Sequence, residues 1–415
     1  LDPQPFWFSL FVESGDSLEQ VQFVESLEIA SLKKSIDSSL KRLAPGFLRT
    51  VTIVTPPATS VQTFNRLKQV LSENFKITDN DLTEGEVPED TDMLLILAPT
   101  KMNDLQLKAV DQFLMRGGSV VISTSPFNVL IGQTITATEH QSGLESWLEN
   151  LGFEIPSEMV LDPQSTSLPV PVQRYIGGIP IREIQLVPYP HFPDLRSEGV
   201  AQKHPITSSL TQMTLNWASP ILINEEVTNL KRVTKLFKSS PSSWNSEELE
   251  VIPDFDSYPD TGFEIEGNRD SQTLAVAVNG PFDSFFKDID STDDNNQDII
   301  NSSPSSSRLV LVASNSFAAD GAIDISSHAL NTLYTKPIEF IQNATEWSIE
   351  EDGLSSLRGR SQFARTLLPM SEETQQKWEI ANYILALLGL LSVWLWRLRS
   401  EKKDKSRFET LLNKI

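Results

Sequence analysis

The hydrophobic and polar positions of residues 92–125 predict a strand, a helix and a second strand in close succession. Residues 93–98 form a continuous apolar run, which is typical of a strand buried on both faces of a parallel sheet. Asn103 or Asp104 can cap the helix that follows. Apolar residues then recur at helical spacing, at Leu107, Val110, Phe113 and Leu114. A unit this short implies a right-handed crossover, so the sequence predicts a parallel sheet.

The same alternation continues on both sides of this unit. Residues 50–55 predict a strand, residues 75–78 an edge strand, residues 142–151 a helix, and residues 308–313 a further strand. The helix between the first two strands is expected to bury one side, made of Val61, Phe64, Leu67 and Leu71. The pattern therefore predicts an α/β domain with a doubly wound, mostly parallel sheet, similar to flavodoxin or to an amidotransferase.

This α/β domain is expected to span residues 47–350, with a helical pattern over residues 327–347 that Pro337 interrupts. Between residues 152 and 307 the pattern breaks into short apolar runs among Pro, Gly and Ser. Strands are predicted in four of these runs, at residues 181–187, 220–223, 233–237 and 274–278. We interpret residues 152–307 as β-rich insertions, which end in a mobile acidic loop at residues 283–307.

The chain before the α/β domain is expected to hold a hairpin and a helix. Residues 6–12 and 21–24 predict two strands on either side of the turn pair Gly15-Asp16. Residues 1–24 are interpreted as the remnant of a preceding β-containing domain. Residues 25–46 predict a bridging helix.

The C-terminal part differs in kind, because residues 378–397 predict a single transmembrane helix. Four aromatic residues lie towards its ends, namely Trp378, Tyr383, Trp394 and Trp396. Arg397 ends this helix and Arg399 lies in a basic tail over residues 398–415, and these positive charges place that end in the cytoplasm. The bulk of the chain is then extracytoplasmic at the inner (plasma) membrane, joined to the helix by a juxtamembrane linker at residues 351–377. The alternative is an interfacial or buried core helix.

Composition and motifs limit the partners, catalytic groups and metal sites that this chain can have. A formal net charge of -22 repels phosphate backbones and disfavours a nucleic-acid partner, and the absence of cysteine excludes thiolate nucleophiles, Cys-based zinc sites and disulfides. The four histidines lack the spacing of zinc enzymes; they are His140, His191, His204 and His328. A group of aspartates invites either a calcium site or a solvated loop, namely Asp288, Asp290, Asp293, Asp294 and Asp298. We expect no metal, no cofactor and no enzymatic activity.

The carboxyl ends of the predicted strands are where a doubly wound sheet binds ligands. Neither a dinucleotide nor a P-loop glycine motif follows any of these strands, so a nucleotide is disfavoured. The side chains expected there form a candidate crevice of hydroxyl and polar groups, namely Thr55, Thr100, Ser123, Ser125, Asn315 and Asp320. Such a crevice could hold a polysaccharide or a peptide. The alternative is that these residues make turns and helix caps.

Several ordered stretches carry a resemblance to a known family. They are residues 89–100, 109–118, 160–163, 204–207, 274–278, 308–316 and 340–347. Through them the chain resembles the gliding-motility-type auxiliary subunits of ABC transporters, over roughly residues 25–360 and the final apolar helix. The resemblance implies a membrane-anchored extracytoplasmic component that works beside an ABC permease and ATPase. It implies no reaction and no site residues.

Three functional hypotheses follow from the sequence. The first is a non-enzymatic accessory subunit of an ABC export or gliding-motility-like system, which engages substrate or partner proteins. The second is a tethered binding protein for a solute, polysaccharide or peptide. The third is a hydrolase whose carboxylate site the sequence does not show.

Overall fold

The structure, a computed structural model, describes residues 10–14, 17–21, 36, 48–57, 60–132, 134–176, 179–228, 232–287, 299–349, 377–394 and 396–397. Contacts between Cα atoms divide the chain into two units, residues 1–362 and residues 363–415. Of the second unit, residues 377–394 are helical. The remaining elements belong to the first unit.

A central sheet of seven strands organises the described part of the first unit. From one edge to the other its strands are β4 (Lys76–Asp79), β3 (Thr50–Val54), β5 (Met93–Leu97), β6 (Ser119–Ser123), β18 (Arg308–Val312), β17 (Thr273–Asn279) and β15 (Val233–Lys238). The first five are mutually parallel, and β17 and β15 continue the sheet in antiparallel pairing. The predicted mixed α/β fold with a mostly parallel sheet is confirmed.

The parallel strands follow a doubly wound order. Numbered along the chain, they lie in the order 2-1-3-4-5, which places a topological switch point between β3 and β5. The finer likeness to flavodoxin or to an amidotransferase stays a prediction, because two antiparallel strands extend this sheet.

The interpretation of residues 152–307 as β-rich insertions did not say which sheet their strands join. Two of the predicted strands, β15 and β17, belong to the central sheet. β17 is buried along nearly its whole length, and it lies between β18 and β15. The sequence did not reveal this because a short apolar strand looks the same whether it pairs with a distant sheet or with a local neighbour.

Helices cover both faces of the sheet: α1 (Asn65–Ser72), α2 (Asp104–Met115), α3 (Glu145–Asn150), α4 (Asp320–Leu330) and α5 (Lys336–Ile349). Alternate residues of β5 point to opposite faces. Leu94 and Ile96 pack in the apolar cluster of α2 and α3, whereas Leu95 packs with α1, α4 and α5. All four residues of the predicted α2 stripe are buried, and Asn103 caps this helix in a capping box with Gln106.

Two local predictions about the helices are wrong. The side chain of Val61 is 71% exposed, because α1 begins only at Asn65 and Val61 precedes it. The C-terminal helical pattern is interrupted at residues 331–335 rather than at Pro337. Pro337 lies in the first turn of α5, where the missing backbone N–H costs little. The chain turns there because Asn331 ends α4 with a φ of 50°.

A third apolar cluster lies among strands outside the central sheet and centres on Tyr189, Phe192, Trp217 and Trp244. The described strands that follow β6 and lie outside the central sheet are β7 (Phe127–Ile131), β8 (Ile135–Glu139), β9 (Phe153–Glu154), β10 (Met159–Leu161), β11 (Ser165–Ile176), β12 (Ile179–Arg196), β13 (Gln212–Thr214), β14 (Leu222–Ile223) and β16 (Trp244–Ser246). β11 and β12 pair as a long antiparallel ribbon, which includes the predicted strand at residues 181–187.

At the N-terminus, β1 (Leu10–Ser14) and β2 (Ser17–Val21) form the predicted hairpin, with the second strand earlier than expected. The bridging helix at residues 25–46, apart from Ile36, and most of the linker lie outside the described residues. So do residues 288–298 of the acidic loop and the basic tail with Arg399.

The transmembrane helix predicted at residues 378–397 is not confirmed. In the parts of the chain that the structure describes, no helix combines the length and the apolar character needed to cross a membrane.

Candidate functional site

The six side chains predicted to line a crevice lie in different environments. Ser123, Ser125 and Asn315 are buried, Thr55 and Asp320 are half-buried, and Thr100 is exposed. The structure brings Ser123, Ser125 and Asn315 together at the carboxyl ends of β6 and β18. Asp320 lies further on, at the first turn of α4, where it contacts α1.

The buried members of the set bond to neighbouring loops of the chain. Asn315 donates from Nδ2 to the carbonyl oxygens of Ser125 (2.9 Å) and Phe127 (2.7 Å). The hydroxyl of Ser125 lies 3.0 Å from that of Ser219, and the hydroxyl of Ser123 donates to the carbonyl of Ser314. These groups therefore hold the loops that follow β6 and β18 against each other.

Residues 216–219 cross the carboxyl ends of the same strands. The backbone N–H of Ser219 donates to Ala313 (2.8 Å), and the hydroxyl of Ser314 donates to the carbonyl of Asn216 (2.7 Å). Trp217, with a φ of 46°, is buried in the third cluster. This segment thus covers the carboxyl ends of β6 and β18.

The end of the central strand β5 is covered by a second segment, residues 140–143. The N–H groups of Lys101 and Met102 donate to Gln141 and Ser142, both at 2.9 Å. A ring N–H of His140 at Nε2 donates to the carbonyl of Pro99 (2.7 Å). Thr100 stays exposed beside this contact. Its place in a ligand-binding crevice stays a prediction.

Asp320 has a structural contact that the sequence did not suggest. Its carboxylate accepts hydrogen bonds from the backbone N–H groups of Asn65 (2.9 Å) and Arg66 (3.0 Å) and from the hydroxyl of Thr63 (2.8 Å). α1 has no side-chain cap of its own from Phe64. Asp320 therefore caps the N-terminus of α1 from another helix, where a negative charge also interacts favourably with the helix dipole.

Replacing Asp320 with alanine is expected to destabilise the protein by about 1 kcal/mol, the usual cost of losing an N-cap. Hydrogen exchange should accelerate in α1 before it does in the central sheet. Asp320→Asn, which retains one acceptor oxygen, should recover part of the loss. Equal exchange in α1 for all three proteins would refute the capping role.

A buried carboxylate that the site prediction missed lies on α2. Asp111 accepts hydrogen bonds from Trp147 Nε1 (3.0 Å), the Ser284 hydroxyl (2.6 Å), the Phe285 N–H (3.0 Å) and Gln112 Nε2 (2.9 Å). It belongs to the stretch 109–118 that carries the family resemblance. The sequence did contain a signal for it, namely an acidic residue among the apolar residues of a predicted helix. A buried carboxylate requires hydrogen-bond donors from elsewhere in the chain.

Two further buried carboxylates bear on the hydrolase hypothesis. Asp162 accepts from the Ser240 N–H (2.7 Å) and hydroxyl (2.6 Å) and from the Gln164 N–H (2.8 Å), and burial raises its pKa. Asp194 accepts from Gln212 Nε2 (2.6 Å) and pairs with Arg196. Both are almost completely buried, so they connect segments of the fold rather than face a substrate.

The histidines are dispersed in the fold. His204 packs against the ring of Trp347 at 5.1 Å between centroids, and burial lowers its pKa to about 4. Arg308 lies over the same ring at 5.0 Å. Over the described residues, no group of three or more His, Asp or Glu side chains is placed to hold a metal ion. The aspartates of the calcium alternative lie outside the described residues.

Comparison with known proteins identifies the family. The family model described as "ABC-type uncharacterized transport system" matches residues 48–344, which include the whole central sheet. The chain belongs to this family. Family membership indicates an auxiliary component of an ABC-type transport system, in agreement with the coarser part of the sequence prediction.

A curated protein of Borreliella burgdorferi, described as uncharacterized, is 22% identical to the chain over 271 residues. The match covers 63% of this chain and 51% of the relative, so the chain spans about half the length of the curated relative it matches.

Two solved structures are similar over most of their length. The N-terminal domain of mmIFT52 has a TM-score of 0.40 at 12% identity and covers 73% of this chain and 98% of its own. A ThuA-like protein from Bacteroides uniformis has a TM-score of 0.38 at 11% identity. The match covers 74% of this chain and 92% of the ThuA-like chain.

Proposed function

We propose that this protein is a non-enzymatic accessory subunit of an ABC transporter, of the export or gliding-motility type, which engages partner or substrate proteins through its surface. The main observation that supports this proposal concerns the carboxyl ends of the strands. Residues 140–143 and 216–219 lie over these ends, and the Ser125 hydroxyl and the Asn315 Nδ2 group there bond within the chain. A sheet covered in this way is suited to presenting surfaces to other proteins.

The proposed location is the outer side of the inner membrane, with attachment through the C-terminal segment and a cytoplasmic C-terminus. Support comes from the second unit, in which helical residues 377–394 expose large apolar side chains around the helix. Trp378, Ile380, Leu385, Leu390 and Val393 are each more than half exposed. The basic residues that follow, including Arg397 and Arg399, agree with the positive-inside rule.

The proposed partners are the permease and ATPase subunits of an ABC transporter. Mild detergent extraction of the full chain from its native membrane should recover both with it in constant ratio. A chain lacking residues 377–397 is the matched control, expected to leave the membrane fraction and to lose both partners. Repeated recovery of the full chain alone would refute the proposal.

The second candidate, a tethered binding protein for a polysaccharide or peptide, is favoured by the exposure of Thr100 at the end of the central strand. Such a ligand should raise the melting temperature of the wild type. Thr100→Trp should abolish this rise, whereas the exposed control Thr83→Trp should preserve it. This result would support ligand binding over a pure protein–protein role.

A further inference from the structure

His191 is a titratable group enclosed by aromatic rings. It lies in β12 with a relative exposure of 1%, and neither Nδ1 nor Nε2 has a hydrogen-bond partner among the described residues. The ring centroid of Phe263 is 4.7 Å away at an interplanar angle of 90°, and that of Tyr189 is 5.4 Å away. A protonated imidazole carries a charge and a second N–H, and this enclosure offers an acceptor for neither.

Phe263 belongs to a surface loop, residues 251–264, which we call the cover loop. Its inner side is attached to the third apolar cluster by buried Val251 and Phe263, and the Tyr189 hydroxyl donates to the Val251 carbonyl (2.7 Å). The Trp244 indole N–H donates to Glu264 (2.9 Å). Most residues between these attachments are exposed. The cover loop can therefore detach from the cluster at lower cost than the strands beneath it.

We propose that the cover loop is an acid-sensitive element, in which protonation of His191 is coupled to release of the loop from the aromatic cluster. Release brings the imidazole to water and frees Phe263 and the backbone of Val251. The cover loop is strongly acidic, so its release changes the charged surface that the protein presents to a partner.

The direction of the pH effect follows from linkage. Burial lowers the pKa of His191 to about 3 when the loop is closed, whereas an imidazole in water has a pKa of about 6.5. The open form therefore binds the proton first as pH falls. Closure is most stable above pH 6.5 and weakens by about tenfold for each pH unit below that value, until the closed form is also protonated near pH 3.

Other titratable groups near this cluster must be separated from His191. Tyr189 has a pKa raised by burial, and Glu250 acts on it electrostatically. On the cover loop, hydrogen bonds from Ser257 lower the pKa of Asp254, and a hydrogen bond to Glu264 raises that of Tyr258. Burial raises the pKa of Asp162, whose N–H donates to Pro190 beside His191. A His191 variant leaves all of these groups in place.

The test is hydrogen exchange of the full chain at pH 7 and pH 5, corrected for the intrinsic pH dependence of exchange. In the wild type, the opening constant of the cover loop should rise roughly 25-fold between these pH values, the ratio that linkage gives for a group with these two pKa values. In His191→Phe the rise should fall below about twofold. The central sheet should stay protected in both.

His204→Phe is the matched control, since His204 is also buried but packs on Trp347, away from the cover loop. The cover loop of this variant should keep the wild-type pH dependence. If His191→Phe does not fold, His191→Gln gives the same comparison, because glutamine does not titrate. Equal pH dependence in wild type and the His191 variant would overturn the proposal, as would simultaneous opening of the central sheet at pH 5.

Discussion

Asp111→Ala is expected to lower the free energy of unfolding by roughly 3–5 kcal/mol, because it leaves several buried donors without an acceptor. The carboxylate of Asp111 is fully buried and joins three parts of the chain: α2, the indole of Trp147 on α3, and residues 284–285. Alanine has no side-chain oxygen to accept these hydrogen bonds. Urea unfolding monitored by tryptophan fluorescence measures the loss.

Three variants separate the causes. Asp111→Asn has nearly the same shape and one acceptor oxygen, so it should lose less than Asp111→Ala. Trp147→Phe removes one donor, and its loss should be non-additive with that of Asp111→Ala. Asp104→Ala, on the exposed first turn of the same helix, should cost less than about 1 kcal/mol. A similarly small loss for Asp111→Ala would contradict the network.

Gly143→Ala is expected to destabilise the protein by roughly 3 kcal/mol or more, because backbone strain and a backbone collision add together. Gly143 has a φ of 83°, and a Cβ atom built on it would lie 2.3 Å from the carbonyl oxygen and 2.6 Å from the nitrogen of Met102. Neither atom can rotate away, because both belong to the backbone of Met102, whose N–H donates to the carbonyl of Ser142. The substitution must therefore separate that segment from the central strand.

Gly267→Ala is the matched control for strain. Its φ is 61°, yet no atom lies within 4 Å of the position that the added methyl group would take, so only the left-handed backbone costs energy, about 1 kcal/mol. Thermal unfolding measures the loss of stability in each variant relative to the wild type. The difference between the two losses is the cost of the collision with Met102. Faster hydrogen exchange at residues 99–102 in Gly143→Ala would locate the damage. Equal losses in the two variants would show that no collision occurs.

Three predictions that depended only on local sequence were confirmed. The run at β5, the stripe of α2 and the cap at Asn103 require only neighbouring residues, since burial on both faces and helical spacing are properties of a short segment. Asp320 shows what local sequence does not predict. The sequence places it near strand ends, but its contact with the N–H groups of Asn65 and Arg66 joins positions about 255 residues apart.

The unit at residues 92–125 also led to expectations about the candidate site. Serine and asparagine at the ends of strands have the same sequence signature whether they face a ligand or another loop. Only the tertiary structure decides, because the partner of Ser125 is Ser219 and that of Asn315 is the backbone of residues 125 and 127. No pattern within one segment encodes such a pairing.

By itself, the sequence determined the α/β class, the parallel core and covering helices such as α2, because hydrophobic periodicity fixes which faces must be buried. It also carried the family resemblance. The tertiary structure decided that β15 and β17 extend the central sheet, that residues 140–143 and 216–219 cover its carboxyl edge, and that Asp111 joins distant segments. Those outcomes depend on contacts between remote parts of the chain, whose energies no local pattern contains.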